Sequence, residues 1–188
     1  MKIMIISSSP NTDGLTAACV HAAQLGVEKE GFETIQIRLN DLNIGRCHAC
    51  GNGWGTCLDR HECQVLDDFQ KLHQSMADID GYIIITPVYW GEMSESAKAF
   101  FDRLRRCEAT KRDKNYIEGK PIIAVAAAGG SGNGIVSCLA SMERLITHIR
   151  GKKFDLMGIT RYSREYMLHS IQNAAGEMAA SIKRAVSQ

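Results

Sequence analysis

The feature that most constrains this chain is a strict alternation of short apolar runs with segments of helical period. Lys2–Ser7 (KIMIIS), Thr34–Leu39 (TIQIRL), Tyr82–Thr86 (YIIIT), Pro121–Ala127 (PIIAVAA) and Phe154–Thr160 (FDLMGIT) have the length and composition of strands. The first, third and fourth are apolar nearly throughout, as strands covered by helices on both faces must be. Between them the period changes. Ile135, Leu139, Met142, Ile146 and Ile149 fall on one helical face, as do Ala97, Phe101 and Leu104, and later Met167, Ile171, Met178, Ile182 and Ala185. Gly14 to Glu30 shows small residues instead (Ala18, Ala22, Gly26), which suit a helix packed close to a sheet, and a further helix is predicted over Asp67 to Ala77.

Strand and helix in alternation predict an α/β fold, a doubly wound three-layer open parallel sheet of five strands. A chain of 188 residues fits one such domain, 1–188, with a Cys-rich loop at 43–66. The net charge of +1 gives no sign of a nucleic-acid or membrane-surface partner, and the apolar start MKIMIIS is too short for a signal peptide or a membrane span. Seven cysteines without a sign of export read as thiols, ligands or redox groups of a reducing compartment, so a cytoplasmic location is expected.

Ligands of open α/β sheets bind beyond the carboxyl ends of the strands. After the first strand comes SSSPNTDGLT, hydroxyls leading into a helix N-terminus, which favours a phosphate. After the third comes TPVYWGEMS, whose adjacent aromatics offer a platform for a planar ring. After the fourth comes AAAGGSGNG, glycines that let a ligand approach the backbone. The chain has no Walker motif, and no G-x-G-x-x-G follows the first strand. A phosphate cradle, a ring platform and a glycine floor suit flavin mononucleotide (FMN).

These loops, the run TPVYWGEMSESAKAFFDRL from Thr86 to Leu104 and the cysteine segment ending CQVLDDF resemble the flavodoxin-like NAD(P)H-dependent FMN reductase family, in particular its iron–sulfur flavoprotein branch. The resemblance implies strand order 2-1-3-4-5 and a flavin-dependent oxidoreductase or electron carrier. It implies NAD(P)H as co-substrate, a small-molecule or protein electron acceptor, and a homodimer or homotetramer. By position, Ser7, Ser9, Asn11, Gly14, Leu15 and Thr16 would hold the phosphate. Pro87, Val88, Tyr89, Trp90 and Gly91 would line the ribityl chain and ring, and Ala128, Gly129, Gly130 and Ser131 the far side of the flavin. Asn11 stands where the family often carries arginine.

The segment CHACGNGWGTCLDRHEC holds Cys47, Cys50, Cys57 and Cys63 in the pattern C-x2-C-x6-C-x5-C. The branch ligates a [4Fe–4S] cluster through four thiolates spaced C-x2-C-x2-C-x4–7-C. Gly53 stands at the third of those places and Cys57 follows it. Four readings stay open: a cluster on these cysteines, a structural zinc site, a thiol pair exchanging electrons with the flavin, and a metal-free loop over the flavin. Following the second strand, the segment is expected on the flavin rim. Cys19, Cys107 and Cys138 read as small core residues, and Asp102 with Arg103 as a structural contact. Two readings from other classes complete the set: a non-catalytic flavin- or metal-binding redox sensor, and an α/β domain for another phosphorylated ligand.

Overall fold

The computed structural model describes residues 1–112 and 115–187. In chain order its elements are β1 (Lys2–Ser7), α1 (Leu15–Lys29), β2 (Glu33–Arg38), α2 (Thr56–Asp59), α3 (Phe69–Ser75), β3 (Gly81–Tyr89), β4 (Glu92–Met93), α4 (Glu95–Glu108), β5 (Pro121–Ala128), α5 (Ile135–His148), β6 (Lys152–Thr160) and α6 (Arg164–Val186). Five strands pair in parallel in the order β2-β1-β3-β5-β6, and β4 pairs antiparallel with the end of β3. With the two-residue β4 set aside, this is the expected 2-1-3-4-5 arrangement.

The alternation of side chains along a strand explains why β1, β3 and β5 are apolar throughout. Met4 and Ile6 of β1, with Ile84 of β3 and Ala124 of β5, pack under Phe100, Leu104 and Met142 of α4 and α5. Ile3, Ile5, Ile83 and Val125 point the other way, onto Ala23 and Val27 of α1 and Ile171 and Met178 of α6. Each fully buried aliphatic chain stabilises the fold by roughly 1.5–3 kcal/mol over leaving it in water. Cys19, Cys107 and Cys138 are buried members of these two layers, as expected.

Some boundaries differ from the sequence reading, each for a local reason. Leu39 leaves β2 to enter a 3-10 turn that buries its side chain. β3 continues through Tyr89, because Val88 and Tyr89 pair with Met93 and Glu92 across a hairpin. Its two central residues, Trp90 (φ 52°) and Gly91 (φ 80°), both lie in the left-handed region that a tight type I′ hairpin requires. The small residues of α1 fit another helix more closely than the sheet: a Cβ added at Gly26 would lie 2.1 Å from the Gln172 carbonyl oxygen and 3.0 Å from the Gly176 nitrogen of α6.

Candidate functional site

The three loops predicted from sequence are tied to one another by named contacts. At the first, Ser7, Ser8 and Ser9 are buried, and the N-terminus of α1 has no side-chain cap and no acidic residue in its first turn. Its N–H donors are therefore free for an anion. Ser9 Oγ accepts from the Asn11 N–H (3.2 Å), whereas the buried Ser8 Oγ has no hydrogen-bond partner. A cavity of about 210 Å³ opens beside the loop, lined by Ser7, Ser9, Asn11 and Thr16 together with His21 and Arg38. The Leu15 side chain packs on the core, which leaves its backbone N–H at the helix N-terminus. The backbone of the first turn is what remains for the phosphate.

Ser94 links this loop to the second. Its hydroxyl donates to the Ser8 carbonyl (2.9 Å) and accepts from the Ala97 N–H, capping α4, while its N–H donates to Thr86 Oγ1 (3.1 Å). Pro87 is paired with Ala127 in the sheet and Val88 packs on the core. Tyr89 and Trp90 are exposed, Trp90 completely, and with Val88, Met93, Glu95 and Lys98 they border an open cleft.

The second loop rests on the third. A Cβ at Gly134 would meet the Gly91 Cα at 2.7 Å, and Ser137 Oγ donates to the Gly91 carbonyl (2.8 Å). Ala128 ends β5 beside Thr160, and Ser131 Oγ accepts from the Asn133 N–H. Gly129 and Gly130 have no neighbour within 4 Å of where a Cβ would project. They form an open floor beside the aromatic hairpin.

Cys47, Cys50, Cys57 and Cys63 converge on a second place. All four line one small cavity of about 20 Å³ with Gly53, Gly55, Arg103 and Arg106. The path of the loop corrects the expectation that it overhangs the flavin rim. Asn40 Oδ1 accepts from Ser96 at the start of α4, the Gly45 carbonyl accepts from Arg103 Nη1 (3.0 Å), and the Gly53 carbonyl accepts from Arg106 Nη1 (2.5 Å). At the helical rise per residue, Arg103 and Arg106 lie about 14–18 Å along α4 from Ser94. The loop therefore runs back along α4, because its carbonyl groups find their donors there.

Arg103 organises this loop. It also donates to Asp67 Oδ2 (2.6 Å) and the Val65 carbonyl (2.8 Å), and its guanidinium lies 4.3 Å from the centre of the Phe69 ring. Burial disfavours the Asp67 carboxylate, but hydrogen bonds from Arg103 and from the Gly45 and Phe69 N–H groups outweigh it and hold its pKa below the ordinary value. The expected Asp102–Arg103 contact is thus corrected: Asp102 pairs with Lys98 (3.0 Å), and Arg103 with Asp67. Cys107 is fully buried beneath the loop and does not line the cavity; burial, followed by the neighbouring Cys63 and Cys57, pushes its pKa up to about 12.

Among the described residues no three His, Cys, Asp or Glu groups are arranged to hold one metal ion. A zinc ion would draw its sulfurs to about 3.8 Å from one another, given Zn–S bonds of ~2.3 Å. All four thiols border the same small cavity and are the thiolates available there to either group.

Arg38, His21 and Arg106 escaped the sequence reading, which gave Arg103 a different partner and Asp67 only the start of a helix. Arg103, Arg106 and Cys107 do follow i, i+3, i+4 spacing on α4, a signal that they share a face. Arginine is so rarely buried that this face reads as solvated.

A sequence model described as NADPH-dependent FMN reductase matches residues 1–152. The "Iron-sulfur flavoprotein" of Methanosarcina thermophila is 36% identical over 135 residues, 71% of this chain and 66% of that protein. A protein of the same description from Methanocaldococcus jannaschii is 31% identical over 130 residues, 69% of this chain and 65% of its own length. This chain thus matches a little under two thirds of the length of either relative. Among solved structures, the NAD(P)H:quinone oxidoreductase from Methanothermobacter marburgensis superposes with a TM-score of 0.74 at 18% identity, over 95% of this chain and 96% of that one, a likeness of fold alone. With the family model covering most of the chain and its loops meeting as described, this protein belongs to the NADPH-dependent FMN reductase family.

Proposed function

We propose that this chain is an FMN-dependent oxidoreductase whose loop cysteines hold a [4Fe–4S] cluster, with NAD(P)H as electron donor and a small molecule or protein as acceptor. The observation that carries the reading is the junction of three loops at one edge: the uncapped α1 N-terminus with the unpartnered Ser8 hydroxyl, the exposed Tyr89–Trp90 hairpin and the open Gly129–Gly130 floor. Bound FMN would supply hydride and one-electron chemistry, so the protein needs no nucleophile of its own.

The chain's residues bind and orient. The first-turn N–H groups of α1, with Ser7, Ser9, Asn11 and Thr16, receive the phosphate. Arg38, paired with Asp41 (3.2 Å), borders the same cavity and brings the positive charge that Asn11 lacks, and His21 lines the cavity beside it. Pro87 to Gly91 flank the ring, and Ala128 to Ser131 bring their backbone to its far side. Cys47, Cys50, Cys57 and Cys63 provide the thiolates for the cluster. Seven free thiols support a reducing cytoplasmic setting. The exposed Tyr89–Trp90 hairpin supports a homodimer or homotetramer that covers it.

The test is the visible spectrum, with iron and acid-labile sulfide analysis, of protein purified without oxygen. Flavin bands over a broad brown shoulder with about four irons per chain are expected. A colourless protein that takes up no added FMN refutes the oxidoreductase reading, and flavin bands without iron refute the cluster alone.

A further inference from the structure

Two guanidinium groups wall the cysteine cavity on its α4 side, and the FMN site uses neither. Arg103 is 1% exposed. Its terminal nitrogens are engaged with Asp67, Gly45 and Val65, but its Nε–H is buried and has no hydrogen-bond partner. Cys63 lies beside this guanidinium, and the cavity with its four sulfurs adjoins it. A buried charged donor is rarely left unsatisfied, and the acceptor that the structure offers this one is the Cys63 sulfur, so the donor belongs to the cysteine site.

Arg106 borders the same cavity. It donates to the Gly53 carbonyl, its guanidinium stacks 4.6 Å from the centre of the Trp54 ring, and among the described residues it has no carboxylate partner. Two fixed cations, only one of them paired with an acid, therefore face four sulfurs. Guanidinium groups stay protonated at any working pH, so this charge is permanent.

We propose that Arg103 and Arg106 are the charge-compensating wall of the cysteine site, Arg103 through an Nε–H hydrogen bond to one of its sulfurs, and that together they set the potential at which the site accepts an electron. The inference rests on the reading that the four cysteines hold a cluster. On reduction the site gains one electron from a low-potential donor and no proton, becoming one unit more negative. Nearby cations and N–H donors favour that more negative state. Arg103 and Arg106 act through the bound group and are positioning residues.

The experiment is a potentiometric titration of the holoprotein, purified without oxygen, with the cluster followed by electron paramagnetic resonance and the flavin by absorbance. Arg106→Gln leaves the Asp67 anchor in place. It is expected to disfavour the reduced cluster about tenfold, a fall of ~59 mV for one electron, with iron content and flavin potentials unchanged. Arg103→Lys keeps the charge and removes the Nε–H, and a smaller fall in the same direction is expected; if that variant does not fold, Arg106→Gln decides. A cluster potential unmoved in Arg106→Gln at full iron content overturns the proposal while leaving the cluster reading intact. Wild-type protein without iron overturns both, and the iron analysis made before the titration tells the two failures apart.

Discussion

Replacing Gly134 by alanine tests whether the aromatic hairpin and the glycine floor form one unit. Gly134 has φ 82°, and a Cβ there would lie 2.7 Å from the Gly91 Cα, 3.0 Å from the Gly91 nitrogen and 3.3 Å from Val88 Cγ1. Two of these three neighbours are backbone, so no rotamer change relieves the clash. The left-handed conformation costs alanine about 1–2 kcal/mol, and forcing the extra methyl into a packed contact costs about 1–3 kcal/mol more. The sum, about 2–5 kcal/mol, corresponds for a chain of this size to a fall in Tm on the order of 10 °C. The relief open to the protein is to lift the hairpin tip, which breaks the Ser137–Gly91 hydrogen bond and moves Trp90 with it. Titration calorimetry is then expected to show FMN affinity reduced at least tenfold. Gly129→Ala is the control: it has open space and no positive φ, so its stability is expected within about 0.5 kcal/mol of wild type. Wild-type Tm and FMN affinity in Gly134→Ala, or equal destabilisation in Gly129→Ala, would refute the reasoning.

Five other substitutions probe separate parts. Glu108 is fully buried, hydrogen-bonded to His73 Nε2 (2.6 Å) and the Tyr116 N–H (2.8 Å); burial opposes its charge, but these bonds and the charges of His73 and Lys111 hold its pKa below the ordinary carboxylate value. A depressed folded pKa stabilises above the unfolded value and is lost as pH falls through the folded one, so wild-type Tm should decline below about pH 4.5. Glu108→Gln should be about 3 kcal/mol less stable at pH 7 and flatter across that acid range by denaturant titration. Gly26→Ala should lower Tm markedly, its Cβ meeting α6 backbone at 2.1 Å; an unchanged Tm would mean the two helices do not cross so closely. Arg38→Gln should weaken FMN binding on the order of fivefold and flatten its salt dependence, and an unaltered salt dependence would remove Arg38 from the phosphate site. Cys107→Ala should leave iron content unchanged while Cys63→Ser lowers it, and iron loss in the former would make Cys107 a ligand.

The layers of this fold were legible because β1, β3 and β5 announce two-sided burial: Ile3 and Met4 are consecutive in sequence yet serve opposite cores. The three loops were legible for the same reason, since strand ends in such a sheet must face one edge. Contacts between distant residues were not. Arg103 and Asp67 meet across 36 positions of sequence, and neither carries a local sign of its partner. The Trp90–Gly91 turn escaped notice because hairpins of its type usually carry Asn-Gly or Asp-Gly. The course of the cysteine segment depends on which donors receive its carbonyl groups, and spacing alone does not reveal them. The fit of Gly26 to α6 was hidden because a small residue reads alike against a helix or a sheet.

The two tryptophans of the chain stand one at each site: Trp54 beneath the Arg106 guanidinium at the cysteine cavity, and Trp90 at the exposed tip of the hairpin. Each has its own optical surroundings, a stacked cation in one case and bulk water in the other. Replacing either by phenylalanine leaves a single tryptophan, excited apart from the five tyrosines at the red edge of the absorption band. Emission from Trp90 alone would then follow occupancy of the hairpin cleft, and emission from Trp54 alone would follow loading of the cysteine loop. The protein thus carries a separate built-in fluorescent probe for the hairpin cleft and for the cysteine cavity, without any added label.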